Sequence, residues 1–407
     1  MDSKSIKQFA KLILKFGVNL QNGQCFELSC PVTEYKVARI FIDTAYEMGA
    51  KYARVRWNDE KIDASTYLNA DEKELINVPK WFVLSKNELV EKNFCYVAIS
   101  AEDPYAFKGV PEDKIARIAK ARSKALKKFS DTVMSNGIRW CVVSVPTLQW
   151  AKSVFPNSKK PEKDLWQEIV KTMRLECDNP EQKWQEHVDN LISHANQLND
   201  FNFEYLHFTN SLGTDLKIGL ADNHVWLSAL EKAKDGVDFI ANMPTEEVFT
   251  APHRLKADGK LYSAMPLVYN GNIIDKFSLT FKDGKIVDYS AEKGYSTLKG
   301  LIETDNGTLR LGEVALIGKN SPIAKSGILF YNTLFDENAS CHLAIGKAYP
   351  TTIKNGSSLS TAELKDLGAN DSVEHVDFMI GTDDLIVTGI TKDGKKIPVF
   401  SDGDWAI

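Results

Sequence analysis

The 407-residue chain has no CxxC pair, no GxGxxG or GxxxxGK[ST] loop, no HExxH helix, and only seven histidines. Each absence narrows the field. Without paired cysteines, neither a thiolate zinc site nor a disulfide scaffold is indicated. The six scattered cysteines, Cys25, Cys30, Cys95, Cys141, Cys177 and Cys341, read as reduced core residues. Without a glycine-rich phosphate loop, a nucleotide site is unsupported, and the missing HExxH excludes only the commonest zinc-peptidase signature. No apolar run approaches the roughly 20 residues that cross a bilayer. Lys7, Lys11 and Lys15 interrupt the amino-terminal stretch, which therefore lacks the apolar region of a secretory signal. A formal net charge of -5 gives no general attraction for nucleic acid or an anionic membrane surface. The expectation is a cytoplasmic protein that binds neither.

Apolar content of 43% and charged content of 26% are those of an ordinary folded protein. The length exceeds what one hydrophobic core usually serves, which predicts two domains, 1–197 and 198–407. In the first, strand candidates at 25–30, 52–57, 94–100 and 139–145 alternate with amphipathic helices, among them 35–48 and the long PEDKIARIAKARSKALKKFSDTVMS. Strands separated by helical stretches of this length predict an α/β domain, doubly wound around a mostly parallel sheet. Beyond residue 198 the period shortens. FEYLHFT, DLKIGL, HVWLSA and LYSAMPLVY are strand candidates, and Asp-Gly pairs at 258–259, 283–284 and 393–394 are hairpin signals, so the second domain reads as α+β with mostly antiparallel sheet. Helices are expected at about 291–303 and 336–348.

The histidines can be weighed singly. His187, His194, His207, His224 and His253 stand in contexts that favour a structural role. His375 and Asp377 are two apart in a strand, hence on one face, in an apolar setting. Either they bind a ligand together or the aspartate merely orients the histidine. On the expected helix 336–348, His342 and Tyr349 would share a face across Gly346, with Glu337 in the first turn, where the helix dipole alone would favour it. Glu246, Glu247 and Glu313 are embedded in apolar runs, and an ionised glutamate is seldom buried unpartnered. Exposure on an edge strand is the alternative for each. Taken together, Glu247, Glu313, Glu337, His342, His375 and Asp377 make a carboxylate-rich set with two imidazoles and no thiolate, which suits two divalent ions (zinc, cobalt or manganese) sharing a water for amide hydrolysis.

Four runs in order, NMPTEEVFTAPHR, LGEVALIG, FDENASCHLAIGKAY and EHVDFMIGTDDLIVTG, resemble the thermophilic aminopeptidase T and staphylococcal-type aminopeptidase S family of dinuclear metallo-aminopeptidases. The resemblance implies a cytoplasmic homodimer that removes amino-terminal residues from short peptides, with the six residues above as metal ligands and Tyr349 beside the centre. On that basis Glu313 is expected to bridge the metals, and Glu246 or Glu337 to act as general base. Hydrolysis of another amide or ester, or peptide or metal binding without turnover, are the competing expectations.

Overall fold

The computed structural model describes residues 1–101, 103–270 and 272–407. The chain forms two compact units, one of Met1–Val188, Ala229–Thr245 and Ile328–Leu334, the other of Asp189–Ser228, Glu246–Gly327 and Phe335–Ile407.

The first unit is the expected doubly wound α/β layer. Its four-stranded sheet is parallel, with Cys25–Pro31 between Tyr52–Asn58 and Cys95–Ile99, and Trp140–Val143 at the far edge. Helices Tyr35–Glu47, Lys80–Glu91 and Glu112–Met134 lie in the connections. The first of these forms because Val37, Ala38, Phe41 and Ala45 recur at helical spacing, and all four are buried. Arg139 shows how the unit recruits the distant segment Ala229–Thr245. Its buried guanidinium donates to the carbonyls of Val18 and Asn19 and to Gln24 Oε1, and pairs with Asp235 at 3.2 Å. A buried arginine with these acceptors satisfied is tolerable, whereas loss of one partner would leave an uncompensated charge.

The second unit is mostly antiparallel, also as expected. A nine-stranded sheet includes Tyr205–Thr209, Asp215–Leu220 and Pro252–Tyr262, and a four-stranded sheet runs in the order His375–Met379, His342–Gly346, Leu311–Leu316, Val248–Thr250. Two of the three Asp-Gly pairs close hairpins. Asp283-Gly284 joins Asn272–Lys282 to Lys285–Lys293 with both residues at positive φ, and Asp393-Gly394 lies between Ile386–Ile390 and Lys396–Ser401. The third does not. Asp258-Gly259 lies inside the strand Pro252–Tyr262, where a Cβ on Gly259 would collide with the Asp215 carbonyl of the neighbouring strand. HVWLSA is likewise not a strand, since His224 and Leu227 make only single bridges, to Ile353 and Phe249.

The largest correction concerns 336–348. Instead of a helix, a short turn at Glu337–Ala339 is followed by the strand His342–Gly346, whose five residues are all buried. The Asp-Glu-Asn opening resembles a helix start, but the run His-Leu-Ala-Ile-Gly is paired on both edges, by Leu311–Leu316 and by His375–Met379. Two ladders and complete burial outweigh a local helical preference. Gly346 has φ 106°, and a Cβ there would collide with the carbonyl oxygen of Glu374. The glycine thus lets the strand end against its neighbour.

Candidate metal centre

The four-stranded sheet brings the expected side chains together by register. Gly346 faces His375, Ala344 faces both Glu313 and Asp377, and Ala315 faces both His342 and Phe249. Small residues therefore stand opposite the polar side chains of the neighbouring strands. Two triads result. In the first, His342 Nε2 lies 3.4 Å from Glu247 Oε2 and 3.6 Å from Glu313 Oε1. In the second, His375 Nε2 lies 3.6 Å from Glu313 Oε2 and 3.3 Å from Asp377 Oδ1. Within each triad one ligand atom per residue lies within 4.8 Å of the others. Glu313 belongs to both, one oxygen toward each. Both imidazoles are oriented from the main chain, His342 Nδ1 at 2.9 Å from the Glu337 carbonyl and His375 Nδ1 at 2.6 Å from that of Lys347. A carbonyl only accepts, so each Nδ1 carries its proton and each Nε2 is left to face the carboxylates.

Comparison with known proteins identifies the family. The peptidase M29 family, described as thermophilic metalloprotease (M29), matches residues 2–405. This chain belongs to that family. It is 43% identical to "Aminopeptidase 2" of Geobacillus stearothermophilus, the match covering 99% of this chain and 98% of the relative. With "Aminopeptidase AmpS" of Bacillus subtilis it shares 42% identity over 99% of each. The solved structure "Wild-type AmpT from Thermus thermophilus" superimposes with a TM-score of 0.92 at 33% identity and 99% coverage of both chains.

An M29 metalloprotease requires a divalent ion, and the donors here fit one. His342 Nε2 and Asp377 Oδ1 are buried and lack a hydrogen-bond partner in the described structure, although carboxylate oxygens and imidazole nitrogens surround them. Orphaned buried polar atoms are costly unless something else satisfies them, and a cation between imidazole and carboxylate does so. The electrostatics point the same way. Burial, with the charges of Asp377 and Glu247, pushes the Glu313 carboxyl up to about 7. Burial opposes charge on His375, yet Asp377 and Glu313 outweigh it and hold the imidazole up to about 10. His342 is likewise raised well above its ordinary value, against burial, by Glu247, Glu313 and Asp377. Without a metal, protons are thus drawn to a site of excess negative charge.

The other candidates divide. Glu337 is buried, and its carboxyl is pushed well above the usual range by burial and by Asp377, Glu247 and Glu313, which places it within the field of the cluster. Its carboxylate is in neither triad among the described residues. Glu246 is buried beside Glu247 and is also in neither triad. Tyr349 stands at the edge of the centre, its ring 4.9 Å from that of His375 and 6.0 Å from that of Phe249. The histidines set aside as structural have local partners, as His207 with Asp215 at 2.7 Å and His194 stacked on Trp405 at 4.2 Å. Sequence reasoning missed the orienting carbonyls of Glu337 and Lys347. It also passed over Asn338, which is fully buried next to Glu337.

Proposed function

We propose that this member of the M29 family is a metal-dependent aminopeptidase acting on short peptides through two divalent ions, held by Glu247, Glu313, Glu337, His342, His375 and Asp377. The observation that carries the count of two is Glu313, whose Oε1 is 3.6 Å from His342 and whose Oε2 is 3.6 Å from His375. One carboxylate divided between two imidazole triads suits a bridge. The charges agree, because four carboxylates balance two divalent ions. Carboxylate and imidazole donors without thiolate suit zinc, cobalt or manganese.

When bound, such ions polarise the scissile carbonyl and acidify a water. The chain's own residues do the rest. The Nδ1–H bonds to the carbonyls of Glu337 and Lys347 hold both imidazoles aimed, with each Nε2 toward the carboxylates. Glu246 serves as general base and takes the proton of the attacking water, and Tyr349, against the His375 ring, donates a hydrogen bond to the developing oxyanion. Glu337, within the field of the cluster, completes the ligand set rather than acting as the base.

The protein is proposed to be a cytoplasmic homodimer. The six cysteines are free thiols, as a reducing compartment maintains. Among the described residues no helix is long and apolar enough to cross a membrane. Ile62, Trp81 and Leu84, 63%, 70% and 66% exposed on the first unit, offer apolar surface of the kind a partner subunit covers. Aminoacyl anilides assayed before and after chelation, with zinc, cobalt or manganese restored, test the activity. The expected result is release of amine that vanishes with chelation and returns with metal. An endopeptidase pattern, or turnover indifferent to chelation, would refute the reading. Light scattering at graded concentrations tests the dimer.

A further inference from the structure

We infer that Asn338 is a positioning residue that couples Glu337 to the Glu246–Glu247 segment and thereby sets one half of the metal centre; the inference rests on the two-ion reading above. Asn338 is fully buried. Its Oδ1 accepts the backbone N–H of Glu246 at 2.7 Å, and its Nδ2 lies 3.5 Å from Glu337 Oε1. The first contact fixes the amide's orientation, because a backbone N–H can only donate and must meet the oxygen. The amino group is then left facing the Glu337 carboxylate. The side chain thus spans two segments 92 residues apart in sequence, one carrying Glu247 and the other Glu337. Its own carbonyl accepts from Ser321 Oγ at 3.4 Å, which anchors the turn at Glu337–Ala339 from a third direction. The same turn supplies the Glu337 carbonyl that orients His342. The His375–Asp377 side takes its orientation elsewhere, from Lys347. Through the Glu246 N–H and the turn that carries the Glu337 carbonyl, Asn338 therefore braces the Glu247–His342 half.

This asymmetry separates positioning from a general structural role. Groups that orient metal ligands typically alter affinity by about 10–100-fold when removed. Metal bound per chain, measured by elemental analysis across a chelator series, should show two ions held by the wild type. In Asn338→Ala one of the two should be weakened about 10–100-fold while the second keeps its wild-type affinity, and the metal-free melting temperature should fall, because the buried Glu246 N–H loses its acceptor. Asn338→Asp retains an acceptor for the Glu246 N–H but loses the donor toward Glu337, so it is expected to fold and to weaken the same ion. Equal affinities in wild type and both variants would overturn the inference. So would parallel loss of both ions. Should both variants fail to fold, hydrogen exchange on the wild type decides: metal loading should slow exchange of the Glu246 amide, and an unchanged rate would refute the coupling. A wild type that binds no metal would instead refute the two-ion reading.

Discussion

Filling the metal centre should expel protons, and the number can be worked out from the side chains. In the metal-free protein at pH 7, His375 is held up to about 10, and His342 is well above its ordinary value, so both imidazoles carry a second proton on Nε2. Those are the atoms that face the carboxylates at 3.3–3.6 Å and would have to bind metal. Loading at pH 7 should therefore release at least two protons per chain. Each proton released makes the overall affinity tenfold weaker per pH unit of acidification, or about 1.36 kcal/mol. Between pH 7 and pH 6 the two imidazoles alone cost about a hundredfold, roughly 2.7 kcal/mol. Glu313, pushed up to about 7 and so half protonated at pH 7, adds part of a third proton over the same interval. The metal-free protein should show the reverse trend. A raised folded-state value stabilises below the unfolded value and is lost as pH climbs through the folded one, so metal-free stability should decline from pH 4.5 toward 7 through Glu313 and from 6.5 toward 10 through His375. Titration calorimetry in buffers of different ionisation heat counts the protons. Fewer than one proton released at pH 7, or an affinity flat between pH 6 and 8, would show that these imidazoles do not meet the metal.

Glu313→Gln should remove both ions together rather than one, with aminoacyl anilide turnover falling by at least about 100-fold while circular dichroism is unchanged; retention of a single tight ion with near-normal turnover would refute the shared carboxylate. Gly346→Ala forces a side chain into φ 106° against the Glu374 carbonyl and should destabilise the second unit by about 1–3 kcal/mol or more in denaturant melts; wild-type stability would contradict the strand geometry. Lys86 tests the first unit. Burial, followed by the charge of Arg56, pushes its ammonium down to about 7 although Tyr96 and Phe129 rings lie at 4.7 and 5.1 Å. The folded state then binds fewer protons than the unfolded chain between pH 7 and 10.5, so stability should rise across that window. Lys86→Met should be more stable than wild type at pH 7 by a few kcal/mol and should lose that slope; a less stable variant at pH 7 would mean that the charged lysine is welcome where it lies.

The parts of the centre that could be seen in the sequence are those whose anomaly is local. Glu313 is a carboxylate inside LRLGEVALIG, and His375 and Asp377 are polar at period two in an apolar strand. Such placements cost free energy once the strand is buried, so they mark themselves. The misreading of 336–348 has the opposite origin. His342, Gly346 and Tyr349 fit helical spacing as well as any strand period, and what decides is pairing with Leu311–Leu316 and His375–Met379, which local sequence does not contain. His342 still reaches the cluster, but through sheet register. Asp258-Gly259 misled for the same reason: the glycine is required by the close approach of the Asp215 carbonyl, not by a turn. Asn338 left no trace because its two contacts become neighbours only after folding, and an asparagine after a glutamate is unremarkable by itself.

Both imidazoles are aimed by main-chain oxygens, those of Glu337 and Lys347. No substitution can delete a carbonyl, so point mutation has no direct handle on the tautomer or tilt of either ring. Attempts to retune the metal preference of this enzyme by directed evolution should accordingly succeed through the carboxylates and the contacts behind them. The histidine geometry would yield only to changes that move the backbone bearing these carbonyls, the turn at Glu337–Ala339 and the stretch just after Gly346.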